Sequence, residues 1–227
     1  LSRFQTAEMI KGRLGVAGGV DDFADMVYRF SGGNPLFACE YIRTMLNSGL
    51  LSMEERKLLP FSQPSSVPDR IRSIVAGKLN LLAPDTRRIL QQASVLRKEP
   101  LELGLLALMT SRTEGEMLSA MDEGIRQGIL RTSSEDNMSF HFTNEAFREE
   151  VYTSAGTSAI ARYHSFVAER RMEEGDHLNA GYHLKMSGRD LEALEVFRRG
   201  AEQSLRSGLP TAAVSCLEEA EELSRRI

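Results

Sequence analysis

Ile129-Leu130-Arg131-Thr132 and Met138-Ser139-Phe140-His141-Phe142 flank the polar run Ser133-Ser134-Glu135-Asp136-Asn137. Two short stretches rich in β-formers, joined by turn-forming residues, predict an antiparallel hairpin with Met138, Phe140 and Phe142 alternating inward. Everything around this hairpin has helical periodicity. Upstream, Ile71, Ile74, Val75 and Leu79 share one helix face, and Ile89, Leu90 and Ala93 share another after Ala83-Pro84. Leu101 to Met109 predicts a short apolar helix. Met117, Leu118, Met121 and Ile125 mark the next, which either Ser111 or Thr113 could open with a capping box, since Glu114 and Glu116 lie three residues on. Three helices followed by a two-stranded ribbon is the order of a winged-helix domain.

On the N-terminal side, Phe23, Met26, Val27 and Phe30 recur at one-face spacing until Ser31-Gly32-Gly33-Asn34-Pro35 interrupts them. A helix restarts at Pro35, which suits a first-turn position, with Phe37, Tyr41 and Met45 on one face and Gly49 at its end. The stretch PFSQPSSVP over 60–68 predicts a loop and a subdomain boundary. On the C-terminal side, helices resume at Asn144, and Ile160, Tyr163 and Val167 line the following long helix. From about Asp176 the helices are punctuated by Ser187-Gly188 and Ser207-Gly208-Leu209-Pro210. Leu194, Phe197 and Ala201 answer Ala213, Leu217 and Ala220, as small residues do where repeated helices cross. This predicts an incomplete helical-repeat array whose last helix exposes Leu217, Ala220 and Leu223.

Composition narrows the function. The 227 residues carry 28 Lys and Arg against 32 Asp and Glu, a formal charge of −4, which argues against a globally basic nucleic-acid binder. No apolar run approaches the ~20 residues needed to cross a bilayer. Two distant cysteines, Cys39 and Cys216, are neither a disulfide framework nor a metal cluster and fit a reducing cytoplasm. The opening LSRFQTAEMI is no secretory signal, and its lack of an initiator Met suggests a piece of a longer protein. There is no phosphate loop: Gly77-Lys78 is followed by Leu79, and Gly15 to Gly19 reads as a turn. His141, His164, His177 and His183 lack metal-ligand spacing. Five tyrosines without tryptophan offer no stacking platform for single strands. The candidate recognition helix, Glu114 to Gln127, sets Glu114, Glu116, Asp122 and Glu123 against Arg126, the wrong sign for a helix beside phosphates.

Gly33-Asn34-Pro35-Leu36-Phe37 stands out as a glycine-led helix start. It reads either as an outward-facing, anion-favouring helix end or as a plain start with Leu36 and Phe37 in the core. The run Ser31 to Glu40 resembles the "GNPLF-x-x-E" lid signature of the signal-transduction ATPases with numerous domains, relatives of AAA+ ATPases. Val67-Pro68-Asp69-Arg70-Ile71 with Leu79 to Leu96 is similar to that family's next stretch. Phe140 to Tyr152 resembles its "F-x-F-x-H-x-x-x-R-E-x-x-Y" segment. Arg162, His164 and Ala168, then His183 and Gly188, match the motifs that lead into its repeats.

The resemblance implies a helical lid over 1–60, a winged-helix domain with following helices over 61–175, and the start of a tetratricopeptide-like array over 176–227. It places the nucleotide-binding core, with its phosphate loop, Mg²⁺ and ATP or ADP, upstream of Leu1, leaving no cofactor and no ATPase activity in this chain. Pro35 would pack near the adenine, with Gly33 and Asn34 shaping the approach. Asn144 occupies the place of the family's phosphate-sensing histidine, where it can donate only a neutral hydrogen bond. Arg148 is the nearest cation, equally suited to a phosphate or to a salt bridge. The implied function is regulatory: upstream nucleotide state would set the lid and winged helix, and the repeats would bind a protein partner. The alternatives are a nucleotide-independent scaffold and, disfavoured by the acidic helix, a DNA-binding regulator.

Overall fold

The computed structural model describes residues 1–17, 19–54, 57–58, 69–96, 100–132 and 139–227. The expected loop over 60–68, the turn over 133–137 and the inward Met138 lie outside the described residues. The chain is mainly α, as its periodicity predicts. Helices α1 (Arg3–Leu14), α2 (Asp21–Ser31) and α3 (Pro35–Asn47) come first. Two short strands, β1 (Met53–Glu54) and β2 (Lys57–Leu58), then pair antiparallel; they are too short to leave a periodic signature in the sequence. Next are α4 (Asp69–Asn80), α5 (Pro84–Ala93), α6 (Leu103–Thr110) and α7 (Glu114–Arg126), followed by the hairpin strands β3 (Leu130–Thr132) and β4 (Phe140–Phe142). The chain continues through α8 (Glu145–Ser154), α9 (Thr157–Glu173), α10 (His177–Met186), α11 (Asp190–Arg206) and α12 (Pro210–Ser224).

Local chemistry sets the ends of these elements. Of the two candidate capping boxes before α7, Thr113 with Glu116 forms one, and Ser111 instead sits at φ 52° as the cap of α6. Ser2 and Gln5 form a box that opens α1. In the hairpin Leu130 pairs with Phe142 and Thr132 with Phe140, so these aromatic rings share the inner face while Arg131 points outward. The Leu101 N–H donates to the Phe140 carbonyl (2.8 Å), tying the approach to α6 onto the hairpin edge. The acidic character of α7 has a structural use: Glu123 accepts from the Ala83 N–H (2.8 Å) and from the Thr86 hydroxyl, capping α5.

Among the described residues, three main cores follow one another along the chain, with a smaller fourth cluster between the second and third. The first gathers α1 to α3 around Ile10, Phe23, Val27, Tyr41, Ile42 and Met45. The second joins α4 to α8 and the hairpin, and α3 contributes Phe37 to it. The third holds α10 to α12 together with Ala168 of α9, which precedes the boundary expected at 176. Val95, Leu96 and Leu105 pack against Val167, connecting the second core to α9.

One expectation about the array is corrected. Leu217 is 51% exposed, whereas Leu223 is buried with Ala213 and Cys216 against α11. Positions 213, 216, 220 and 223 form the inner stripe, and Leu217 falls one step off it. Within the array, Gly181 of α10 lets Phe197 of α11 lie against the helix backbone. A Cβ placed at Gly181 would sit 2.5 Å from Phe197 Cε1. We expect Gly181→Ala to destabilise the array by about 1–3 kcal/mol through overpacking. Combined with Phe197→Leu, the double variant should cost less than the sum of the two single changes in urea melts; strict additivity would show that the ring is not what the glycine accommodates.

Candidate functional site

The candidate residues begin at the turn between α2 and α3. Ser31 closes α2, and Gly32 (φ 59°) and Gly33 (φ 76°) both adopt the left-handed conformation that favours glycine. Each is also crowded on its open side. A Cβ on Gly32 would lie 2.7 Å from the Thr143 carbonyl oxygen, and one on Gly33 would lie 2.2 Å from that of Leu1. The Leu1 backbone nitrogen donates to the Gly33 carbonyl (2.6 Å), and the Gly33 N–H donates to Ser31 Oγ (3.2 Å). Asn34 caps α3 by accepting the Leu36 N–H (3.0 Å), with Pro35 at the first helical position.

The exposure pattern of this turn divides the two readings of the motif. Phe37 is buried in the second core, with its ring centroid 6.1 Å from that of Phe147. Leu36 is 50% exposed, and Asn34 and Pro35 are exposed beside it. The motif is therefore half anchor and half surface. Glu40 is turned in, with Oε2 accepting from Arg43 (2.6 Å).

The structure brings Asn144 to this turn. Asn144 is buried at the N-cap of α8, and both ends of its carboxamide are engaged. Oδ1 accepts the Phe147 N–H (3.0 Å), and Nδ2 donates to the Ser31 carbonyl (3.3 Å). The α2–α3 turn and the β4–α8 turn thus interlock through one side chain. In this arrangement one N–H of the buried amide is committed to Ser31.

Arg148 sits one helical turn along α8 and faces elsewhere. Its Nε lies 3.0 Å from Glu145 Oε1, and Nη1 donates to the Ser94 carbonyl at the end of α5 (3.0 Å). Burial works against its charge and the Glu145 carboxylate outweighs that, leaving the guanidinium pKa raised. Of its two sequence readings, the salt bridge is the one formed. Gly33, Asn34, Pro35 and Asn144 are therefore neighbours, and Arg148 is committed to α5.

A second polar constellation went unassembled in the sequence, although its members were singled out there as separate motif positions. Tyr152 at the end of α8 hydrogen-bonds His164 Nε2 of α9 (3.0 Å). His164 Nδ1 in turn meets His183 Nδ1 of α10 (2.7 Å). Burial, and secondarily the Arg148 charge, lowers the His164 pKa to about 4, so the imidazole is neutral near pH 7. The available signal was its position: His164 interrupts the inner face of α9 between Ile160 and Val167–Ala168.

Beyond these sites, an open groove between α10 and α12 is lined by Asn179, Tyr182, Ser215, Glu218, Glu219 and Glu222. Among the described residues no group of three or more His, Cys, Asp or Glu is placed to hold a metal ion, and no helix is long and apolar enough to cross a membrane.

Residues 2–57 match a family described as a domain of unknown function, DUF8739. The DUF8739 match spans α1 to α3 and the whole Gly33–Leu36 turn, and it stops short of Asn144 and Arg148. No curated protein matches the chain.

Asn144 variants should separate its two bonds. Asn144→Ala loses the cap and the bond to the Ser31 carbonyl, which keeps the Asn34 N–H (3.0 Å), for a loss of about 1 kcal/mol. Asn144→Asp keeps the cap acceptor but sets a carboxylate against that carbonyl. It should be less stable than the parent at neutral pH and recover part of the loss once acid protonates the carboxylate. Thermal melts at both pH values check this; an Asp variant as stable as the parent at pH 7 would show that the Ser31 bond contributes nothing.

Proposed function

We propose that this chain is the regulatory part of a nucleotide-controlled switch. In this reading α1 to α3 form a lid, α4 to α8 with β3 and β4 form a winged-helix unit, and α10 to α12 begin a tetratricopeptide-like array that binds a protein partner in the cytoplasm. ATP or ADP with Mg²⁺ is held by a domain upstream of Leu1, and this chain turns over no nucleotide itself.

One observation carries the reading. Asn34, Pro35 and Leu36 project from a helix start whose flanking residues, Gly33 and Phe37, are buried and fixed. An exposed proline and leucine on a rigid turn are suited to stacking on the flat face of a base, whereas a plain helix start would turn Leu36 inward. Asn144 enters differently from the way the resemblance implies. It holds the lid turn to the winged-helix unit through Ser31 rather than contacting phosphate, and Glu145 beside it is unfavourable to an anion. A closed state is then maintained by a neutral hydrogen bond within the protein.

The second reading, a nucleotide-independent scaffold, draws on the same Asn144 engagement, because both bonds of the interlock are made within the protein. Direct reading of DNA is disfavoured by α7, where Glu123 caps α5 and Glu114 and Glu116 occupy the first turn.

The two readings part on Pro35 and Leu36. In the full-length protein, Pro35→Ala with Leu36→Ser should speed ADP release about tenfold or more and move the melting temperature of this chain by no more than about 2 °C, because both side chains are exposed. Stopped-flow release of a fluorescent ADP analogue and thermal melts provide the two measurements. Unchanged release, or no ADP binding by the full-length protein, would favour the scaffold.

A further inference from the structure

The open groove between α10 and α12 keeps acceptors that its own donors do not satisfy. It encloses about 410 Å³, the size of a small ligand cleft. Leu178, Asn179 and Tyr182 line its α10 side, and Ser215 and three glutamates line its α12 side. The nitrogen and serine donors along it are taken within the protein. Asn179 Nδ2 donates to Asp176 Oδ2 (2.7 Å) and the Ser215 hydroxyl to the Thr211 carbonyl (3.3 Å). The Lys185 ammonium, on a side chain only 12% exposed, donates to Glu219 Oε2 (2.6 Å). Acceptors remain. Lys185 reaches Glu222 only at 4.0 Å, and the Asn179 carboxamide oxygen and the Glu218 carboxylate have no partner among the described residues.

The rest of the array is arranged otherwise. Its carboxylates are neutralised by arginines on the same helix: Glu192 by Arg189, Glu195 by Arg198 and Arg199, and Glu221, outside the groove, by Arg225. Helix α12 itself, PTAAVSCLEEAEELS, holds four glutamates and no basic residue. Glu218 and Glu222, one turn apart, therefore border the groove opposite a helix whose only Lys or Arg, Lys185, is committed to Glu219.

This lining selects the chemistry of what it takes. A carboxylate or phosphate would bring further acceptors and meet like charge. A guanidinium brings five donors, no acceptor and a permanent positive charge. The apolar wall favours it over an ammonium. The Tyr182 ring is held in place against His164 and His183, at centroid distances of 6.1 and 5.2 Å, and Leu178 is half-buried on the same side. A planar, weakly hydrated guanidinium packs on such a surface more readily than a strongly hydrated ammonium does. We propose that the α10–α12 groove docks a partner protein through an arginine side chain, with the guanidinium between Glu218 and Glu222 and the stem against Leu178 and Tyr182. The inference rests on the partner-binding role proposed above for the array and names that partner's chemistry. Its test contains no nucleotide, so failure here leaves the ADP-release result untouched, and the reverse holds too.

The probe is a capped peptide, Gly-Leu-Arg-Gly-Arg-Gly, titrated into the whole isotope-labelled chain and followed by NMR. Amides of α10 and α12 should shift saturably, and binding should weaken as salt is raised, because exposed ion pairs are screened. Glu218→Gln with Glu222→Gln should weaken binding about fivefold or more. Both side chains are exposed, so the melting temperature should move by no more than about 2 °C. Glu114→Gln with Asp122→Asn on α7 removes the same charge and should leave the affinity unchanged. A peptide with lysine for both arginines should bind more weakly, and one with glutamate should not bind. Absence of a saturable shift would overturn the proposal, as would shifts shared equally by α7, which would show attraction to any acidic face. Undiminished affinity in the folded Glu218→Gln, Glu222→Gln chain would also overturn it. Arginine amide binding as tightly as the peptide would overturn the docking role by showing a site for a free cation.

Discussion

The arrangement of the chain depends on a carboxamide placed where two turns meet. The α2–α3 turn presents the Ser31 carbonyl, which accepts the Asn34 N–H (3.0 Å) and takes a second donor, and α8 begins with an orphan N–H at Phe147. Asn144 supplies both partners at once. The geometry tolerates little else. Gly32 must lack a side chain because the Thr143 carbonyl occupies that space, and Asn144 must be extended to reach both bonds. Because this junction is polar and buried, loosening either bond exposes an unsatisfied group. The interlock is thus held by the cost of breaking it more than by the strength of its hydrogen bonds. Phe37 packing toward Phe147 adds the apolar component on the same side.

This junction distributes the motif residues between two tasks. Gly33 and Phe37 hold the turn, and Asn34, Pro35 and Leu36 are held out from it. A resemblance in sequence treats the run as one unit, while the fold separates anchor from surface. Arg148 illustrates the same division. On α8 it is one turn from Asn144, yet its guanidinium spans Glu145 and the Ser94 carbonyl, so it fastens α8 to α5. Helix α8 is consequently bonded at its start to α2, in its middle to α5, and at its end, through Tyr152, to α9.

Much of the fold could be read from spacing because the interactions responsible are local. Thr113 and Glu116 cap a helix from three residues apart, Pro35 pre-sets a first turn, and Phe140 and Phe142 alternate inward as the hairpin pattern requires. Where the reading slipped, the difference was a single step of helical rotation. Spacing puts Leu217 and Leu223 on one face, and the crossing of α12 on α11 takes the stripe through Cys216 and Leu223 instead. Both faces carry apolar residues, so periodicity alone could not choose between them; the close approach permitted by Gly200, against which Cys216 Sγ packs, did.

The sequence by itself determined that this is a mainly helical chain with one β-hairpin of inward aromatics, helix starts at Pro35 and Asn144, and an acidic α7. Each of these rests on residues within a few positions of one another. Only the tertiary structure decided that Asn144 meets Ser31 across 113 residues, that Arg148 faces α5, and that His164 and His183 share a contact. The physical reason is that a carboxamide, a guanidinium or an imidazole has several acceptable partners of equal chemistry. Which one it takes is settled by the packing of the helices that carry it, through cores whose apolar residues, Phe37 and Ala168 among them, bridge regions that the sequence pattern separates.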